Sequence, residues 1–119
     1  MPSRVLRAAG SAVVAVTLFA CGTKSTTKDA TISTCNADPG GGRPHAEGQV
    51  TNTSSKGSAF VIRLGFYDSS GNRVSEGADT VSGVGPGNNA PWHITGAADA
   101  KGPLTCKLLT VRRTVAPGS

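Results

Sequence analysis

The stretch "AFVIRLGFYD", residues 59–68, decides the fold. Its even-numbered positions from 60 to 66 are apolar and alternate with odd-numbered positions that include Arg63 and Tyr67. Because successive side chains of a β-strand point to opposite faces, the stretch predicts a strand with one buried face. Arg63 and Tyr67 then share the other face. Tyr and Arg are typical interface anchors, so this pair is a candidate interface; alternatively, both cover the solvated outer face of a sheet.

A hairpin is expected directly after this strand. The residues "DSSGN", 68–72, predict a turn in which Gly71 takes a positive φ and the Asp68 carboxylate accepts hydrogen bonds from nearby N–H groups. The partner strand is "RVSEGADTVSG", 73–83. Val74 and Val81 have opposite parity within it, so we expect a bulge or bend near Gly77.

Short β-branched segments separated by Gly, Pro, Asn and Ser fill the rest of the chain after residue 28. Two more strands are "ATISTC", 30–35, and "HAEGQVTN", 45–52. Pro86-Gly87 predicts a type II turn before a strand on which Trp92 and Ile94 alternate with His93. "PLTCKLLTVRR", 103–113, is the last strand. Residues 30–116 therefore predict a small, immunoglobulin-like antiparallel β-sandwich of about six or seven strands.

The N-terminus has the layout of a secretory signal peptide over residues 1–20. Arg4 and Arg7 precede an uncharged, Ala- and Val-rich stretch, 8–20, that is too short for a membrane-spanning helix. The alternatives are a buried N-terminal helix of the domain and a plain signal peptide that leaves Cys21 without a role.

Leu18-Phe19-Ala20-Cys21 resembles the bacterial lipobox. The resemblance implies cleavage after Ala20, a diacylglycerol on the Cys21 thiol and acylation, for example by palmitate, of the new amino group. The protein would then be a lipoprotein on the outer, extracytoplasmic face of the cell membrane. Residues 21–29 are polar after the lipidated Cys and predict a flexible tether that lets the domain stand away from the lipid.

Cys35 and Cys106 are the two remaining cysteines, and in an exported domain of this size they predict a disulfide bond. If Cys35 faces inward, strict alternation turns Ile32 outward unless β-strand 30–35 is bulged or lies at an edge. The alternative is a metal site in which His45 and His93 join both cysteines, but no Cys-x-x-Cys or His-x-x-x-His spacing supports it. We expect no metal and no cofactor.

The segment Leu64-Gly65-Phe66-Tyr67-Asp68 resembles the FxLYD domain family of small envelope β-sandwiches. "GQVTNTSS" (48–55), "SSGNRV" (69–74) and "GPGNNAPW" (85–92) agree with it, and Leu64 and Phe66 exchange the Phe and Leu of the family name. The chain is similar throughout to small actinobacterial lipoproteins with one such domain. The resemblance implies a β-sandwich fold and a location in the cell envelope, but it implies no activity.

The net charge and its distribution limit the classes of partner that the protein could bind. The chain of 119 residues has a net charge of +5. From Cys21 onward, ten Lys and Arg face seven Asp and Glu, so the mature chain is +3 once its amino terminus is blocked. This modestly basic balance favours anionic lipid or envelope polymer, although the charges are spread along the sequence. No basic run supports nucleic-acid binding.

No catalytic constellation is evident, so we expect a protein that is not an enzyme. Asp68 and Asp79 could suggest paired carboxylates, but Asp68 is better explained as a turn residue, and His45 and His93 are lone histidines on predicted strands. We therefore expect a lipid-anchored, non-catalytic module that binds a protein or polymer partner at the membrane surface. The alternative is a small-ligand or metal carrier that uses His45 and His93.

Overall fold

The computed structural model describes residues 26–37 and 40–115, and these residues form an all-β fold. Two antiparallel three-stranded sheets, ordered β1-β2-β5 and β4-β3-β6, enclose one core, as expected for a small β-sandwich. Each predicted strand is present, and the strand ends in the structure differ from the predicted ends by at most two residues. The six strands of the described chain are β1 (Ala30–Asn36), β2 (His45–Thr51), β3 (Ser58–Tyr67), β4 (Arg73–Val84), β5 (Asn89–Thr95) and β6 (Thr105–Val115).

The core lies between the sheets and follows the alternation of the sequence. The four apolar side chains at even positions of β3 are fully buried, whereas Val61 and Arg63 are exposed. Trp92 and Ile94 of β5 meet them from the other sheet, and His93 points outward, as predicted. Burying one such apolar side chain stabilises the fold by about 1.5–3 kcal/mol, so this cluster supplies the main driving force for folding.

The turns have the predicted geometry. The Asp68 carboxylate accepts hydrogen bonds from the N–H groups of Ser70 and Asn72, both at 2.9 Å. In the second turn, Gly87 has a φ of 76°, and the Asn88 N–H donates to the Gly85 carbonyl at 3.0 Å. A positive φ at the third residue with this closing bond is the arrangement of a type II turn.

The bulge expected near Gly77 is wrong in position. Gly77 pairs regularly with Leu64, and the two irregularities of the β3–β4 pairing lie near the ends of β4. Near the hairpin turn the register shift leaves Val74 as the extra residue, and this side chain still packs against the core. Near the far end, Gly83 has a φ of 70° and the shift returns Val84 to the buried side. The parity conflict is therefore resolved at the strand ends.

A bulge also resolves the orientation of Ile32 and Cys35. The β1–β2 register shifts between Ile32 and Thr34, so Ser33 is an extra residue, and β1 is an edge strand. Ile32 packs against the core, and Cys35 pairs with Ala46 on the buried face of β2. The sequence analysis required either a bulge or an edge position for this strand, and the strand has both.

The two sheets are linked along both of their open sides. On one side, Cys35 of β1 forms a disulfide bond with Cys106 of β6, with 5.9 Å between the Cα atoms. On the other side, the Asp79 carboxylate of β4 accepts a hydrogen bond from the His93 N–H of β5 at 2.9 Å. Covering an edge in this way removes donors that another strand would otherwise pair with.

The described fold includes residues that precede the first strand. The Thr26 N–H donates to the Val111 carbonyl of β6 at 2.7 Å, and Thr27–Asp29 form a 3-10 turn in which Asp29 is buried. The tether expected over residues 21–29 therefore overlaps the fold by four residues. The signal peptide and Cys21 lie outside the described residues. No helix in the described ranges is long and apolar enough to cross a membrane.

Candidate functional site

Arg63 and Tyr67 lie on the outer face of the β4-β3-β6 sheet, on the opposite side from the core. The Arg63 guanidinium forms an ion pair with Glu76, its Nη2 atom 3.1 Å from the Glu76 Oε2 atom. Arg73 reaches the other carboxylate oxygen, Oε1, at 3.6 Å. All three side chains are about half exposed, so these pairs contribute at most about 1 kcal/mol each to stability. Their main effect is to hold the two guanidinium groups side by side on the sheet.

The Tyr67 ring lies over the backbone of Gly65. A Cβ atom at residue 65 would be 2.9 Å from the Tyr67 Cε1 atom and 3.0 Å from the Arg73 Cδ atom. Glycine is therefore the residue that lets both side chains rest on the sheet surface. The Lys107 ammonium lies 5.0 Å from the ring centroid on the β6 side, within the range of a cation–π contact.

The motif "LGFYD" thus has a separate structural role for each residue. Leu64 and Phe66 fill the core, Gly65 provides the flat surface, Tyr67 covers it, and Asp68 closes the hairpin turn. The fold thus brings Arg63 and Tyr67 close to Arg73 of β4 and Lys107 of β6, although Lys107 lies 40 positions after Tyr67 in the sequence.

The outer face continues along β3 to Val61 and Arg112. These two residues are directly paired across β3 and β6, and both are exposed, Val61 by 38%. We define the basic face by its charged residues and by the two less polar side chains between them: Arg63, Arg73, Glu76, Lys107, Arg112, Val61 and Tyr67.

A groove of about 350 Å³ opens on the other sheet. Gly48 and Trp92 are among the residues that line it, and Glu47, Asp79 and His93 contribute polar groups. The indole N–H of Trp92 donates to the Gln49 carbonyl at 3.2 Å, so its polar atom is already satisfied. Asp79 accepts hydrogen bonds from the N–H groups of Thr80 and His93. Its carboxylate therefore has a structural role, and it is not paired with Asp68, which closes a distant turn.

The residues considered for a metal site are only partly brought together. His45 and His93 are near each other on the outer face of the β1-β2-β5 sheet, with 6.1 Å between their ring centroids. Cys35 and Cys106 are joined in the disulfide bond, so neither can supply a thiolate ligand. Among the described residues, no three His, Cys, Asp or Glu side chains group as metal ligands would.

Asn52 is a structural residue that sequence analysis did not identify. The segment Asn52-Thr53-Ser54 looks like loop, yet Asn52 is fully buried. Its side-chain amide donates to the carbonyls of Lys56 and Val84, both at 2.8 Å. Its side-chain oxygen accepts hydrogen bonds from the N–H and hydroxyl of Ser54. The one local signal is a Ser two positions after an Asn, a spacing typical of an Asx turn.

Comparisons of this chain with protein-family models, with curated proteins and with solved structures find no match. The interpretation of the basic face and of the groove therefore depends on their own residues.

Proposed function

We propose that this protein is a non-catalytic binding module of the cell envelope, held at the extracytoplasmic face of the membrane by lipid on Cys21. The basic face is its contact surface, and a protein or polymer partner at the membrane surface is what it binds. The observation that carries this proposal is the ordered layer of Arg63, Arg73 and Tyr67 on a sandwich closed by a disulfide bond. Side chains held in place before binding lose less conformational freedom on contact with a partner.

Three further features support the envelope location. The N-terminal 20 residues have the pattern of a signal peptide, and Leu18-Phe19-Ala20-Cys21 resembles a lipobox. The disulfide bond between Cys35 and Cys106 is of a kind that persists in oxidising compartments. The likeness of residues 64–68 to the FxLYD family, whose members are common in envelope proteins, agrees with both.

The anchor is tested by expressing the full chain in a bacterial host with a clickable palmitate analogue. The wild type should be labelled and shortened by 20 residues, because cleavage before Cys21 follows acylation of its thiol. Cys21→Ser should be neither labelled nor shortened. As a control, Cys21→Ser combined with Ser25→Cys restores a thiol at the wrong position and should also stay unlabelled. Labelling and cleavage of Cys21→Ser as in the wild type would reject the lipid anchor.

The second candidate function is a carrier of a metal ion or small ligand. The proximity of the His45 and His93 rings and the adjoining groove favour it. Equilibrium dialysis against zinc and copper separates the two functions. Retention that is lost in His93→Ala supports the carrier, and no retention by the wild type rejects its metal form.

A further inference from the structure

The two outer faces of the sandwich differ in charge. On the basic face, Arg63, Arg73, Lys107 and Arg112 are opposed by Glu76, which leaves a formal charge of +3. Glu76 is shared by two guanidinium groups, so it neutralises one positive charge. On the opposite sheet, the outer face of β2 and β5 carries Glu47 beside the two histidines.

The basic face accounts for the whole net charge of the described chain. Outside that face, five basic and five acidic side chains cancel in formal charge. Asp68, which is nearest to the face along the chain, directs its carboxylate to N–H groups of its own turn. The ten side chains are Lys28, Arg43, Lys56, Lys101 and Arg113, and Asp29, Glu47, Asp68, Asp79 and Asp99.

The chain enters the fold at the strand that borders this face. Thr26 bonds to the Val111 carbonyl of β6, and Val111 is adjacent to Arg112. Five peptide links separate Cys21 from Thr26, so covalent geometry limits their separation to about 18 Å. A lipid on Cys21 would therefore keep β6 within roughly two Debye lengths of the membrane surface at physiological salt.

We propose that the basic face binds the headgroups of anionic phospholipids and holds the sandwich against the membrane. This rests on the proposed envelope function and goes beyond it, because the ligand named for the contact surface is the membrane lipid itself, beside any protein or polymer partner. Arg side chains form paired hydrogen bonds with phosphate, and Lys adds a point charge. Tyr67 and Val61 lie between the cations, and an amphipathic Tyr ring suits the headgroup level of a bilayer.

Vesicle binding of a soluble form that begins at Gly22 tests the proposal. This form keeps every described residue, and a cooperative thermal melt of each variant checks that it is folded. The wild type should bind vesicles made of equal parts of phosphatidylcholine and phosphatidylglycerol, and should not bind phosphatidylcholine alone. Added salt should weaken the binding because it screens exposed charges.

Two charge-matched variants identify the surface. Lys107→Gln with Arg112→Gln removes two cations from the basic face, whereas Arg43→Gln with Lys101→Gln removes two from exposed loops. Each basic side chain near an anionic surface raises the affinity about fivefold, so the first pair should lower the affinity about 25-fold. The second pair should bind nearly as the wild type does.

Two outcomes would overturn the proposal. Equal losses in both pairs would show that net charge alone matters. No binding to the anionic vesicles would exclude lipid as the partner, and tight binding to soluble polyphosphate alongside that result would assign the face to an anionic polymer. Because this form lacks Cys21, none of these results bears on acylation, so failure here and failure of the lipid anchor are distinguishable.

Discussion

The Asn52 side chain connects the loop before β3 to the end of β4. It bonds to the loop before β3 through Ser54 and Lys56, and to the end of β4 through Val84. Its backbone also pairs with Gly87 and Asn88 in the turn before β5. A buried polar group with all its partners stabilises one conformation, because any alternative leaves donors or acceptors unpaired.

Asn52→Ala should lower the free energy of unfolding by about 3 kcal/mol, because it leaves the Lys56 and Val84 carbonyls without their donor. Asn52→Asp should cost at least as much, since it turns a carboxylate oxygen toward those carbonyls. Thr53→Ala is the control: this residue is exposed and makes one bond, to Asp29, at 3.3 Å. Urea denaturation of the Gly22 form measures all three, and equal midpoints for Asn52→Ala and Thr53→Ala would contradict the assigned role.

Alternation, local turn chemistry and the pairing of Cys35 with Cys106 were readable from the sequence, and the long-range hydrogen bonds were not. The buried set on β3, the Asp68 turn and the positive φ at Gly87 all depend on neighbours within a few residues. By contrast, the Asn52 side chain donates a hydrogen bond to the Val84 carbonyl, and the Thr26 N–H donates to the Val111 carbonyl. Both acceptors lie far along the chain from their donors. The position of the β4 bulge was missed for the same reason, because pairing with β3 decides where the extra residue fits.

Gly48 and Gly65 both allow a close approach in their strands, and the atoms that a side chain would meet differ between the two positions. A Cβ atom at residue 48 of β2 would overlap the Thr31 carbonyl oxygen of β1 and lie 2.5 Å from the Trp92 ring. A Cβ atom at residue 65 of β3 meets the exposed, flexible side chains of Tyr67 and Arg73 instead. Backbone in a sheet cannot move aside without breaking the strand pairing, whereas a surface side chain can rotate.

Gly48→Ala should therefore destabilise the domain by about 3 kcal/mol, at the upper end for overpacking, and Gly65→Ala by about 1 kcal/mol or less. The two substitutions add the same methyl group, so each is the control for the other. Thermal melts followed by circular dichroism compare them. A greater loss for Gly65→Ala than for Gly48→Ala would contradict the assignment of which glycine packs against backbone.

The two sides of the sandwich are joined by different chemistry. The β1–β6 side has the covalent bridge, and the β4–β5 side has the hydrogen bond from His93 to Asp79. Asp79 lies on the edge strand β4, where it is paired with the buried Ile62 of β3. A charged side chain at such an inward-facing position of an edge strand also discourages pairing with a second chain.

Reduction of the bridge should destabilise the whole domain. Cys35 and Cys106 are 71 residues apart, and closing a loop of that length contributes about 4 kcal/mol through the entropy of the unfolded chain. Small domains have about 5 kcal/mol in total at the lower end, so reduced protein should melt at a much lower temperature. Unreduced, denatured Gly22 form should react with no thiol reagent. Reaction of two equivalents would show that the bridge is absent.

The basic face and the position of Thr26 beside β6 together predict how the domain is oriented relative to the membrane. If the anionic headgroups hold the β4-β3-β6 sheet, the groove and the two histidines of the other sheet point away from the membrane. The tether that the sequence predicted to hold the domain away from lipid is shortened by the ordering of Thr26–Asp29. The face that meets the bilayer and the face open to the surroundings are then set by the fold.

The bridge between the first and last strands also determines how the domain responds to pulling. If tension is applied between the proposed lipid on Cys21 and an attachment after β6, the covalent path for the force runs from β1 through the sulfur atoms to β6. After the sheets have separated, the chain between the two cysteines, which are 71 positions apart, still carries no tension. At about 3.5 Å per residue, the disulfide bond therefore prevents about 250 Å of chain extension. An oxidised domain under load therefore stays short, and only a reductant would allow it to lengthen fully.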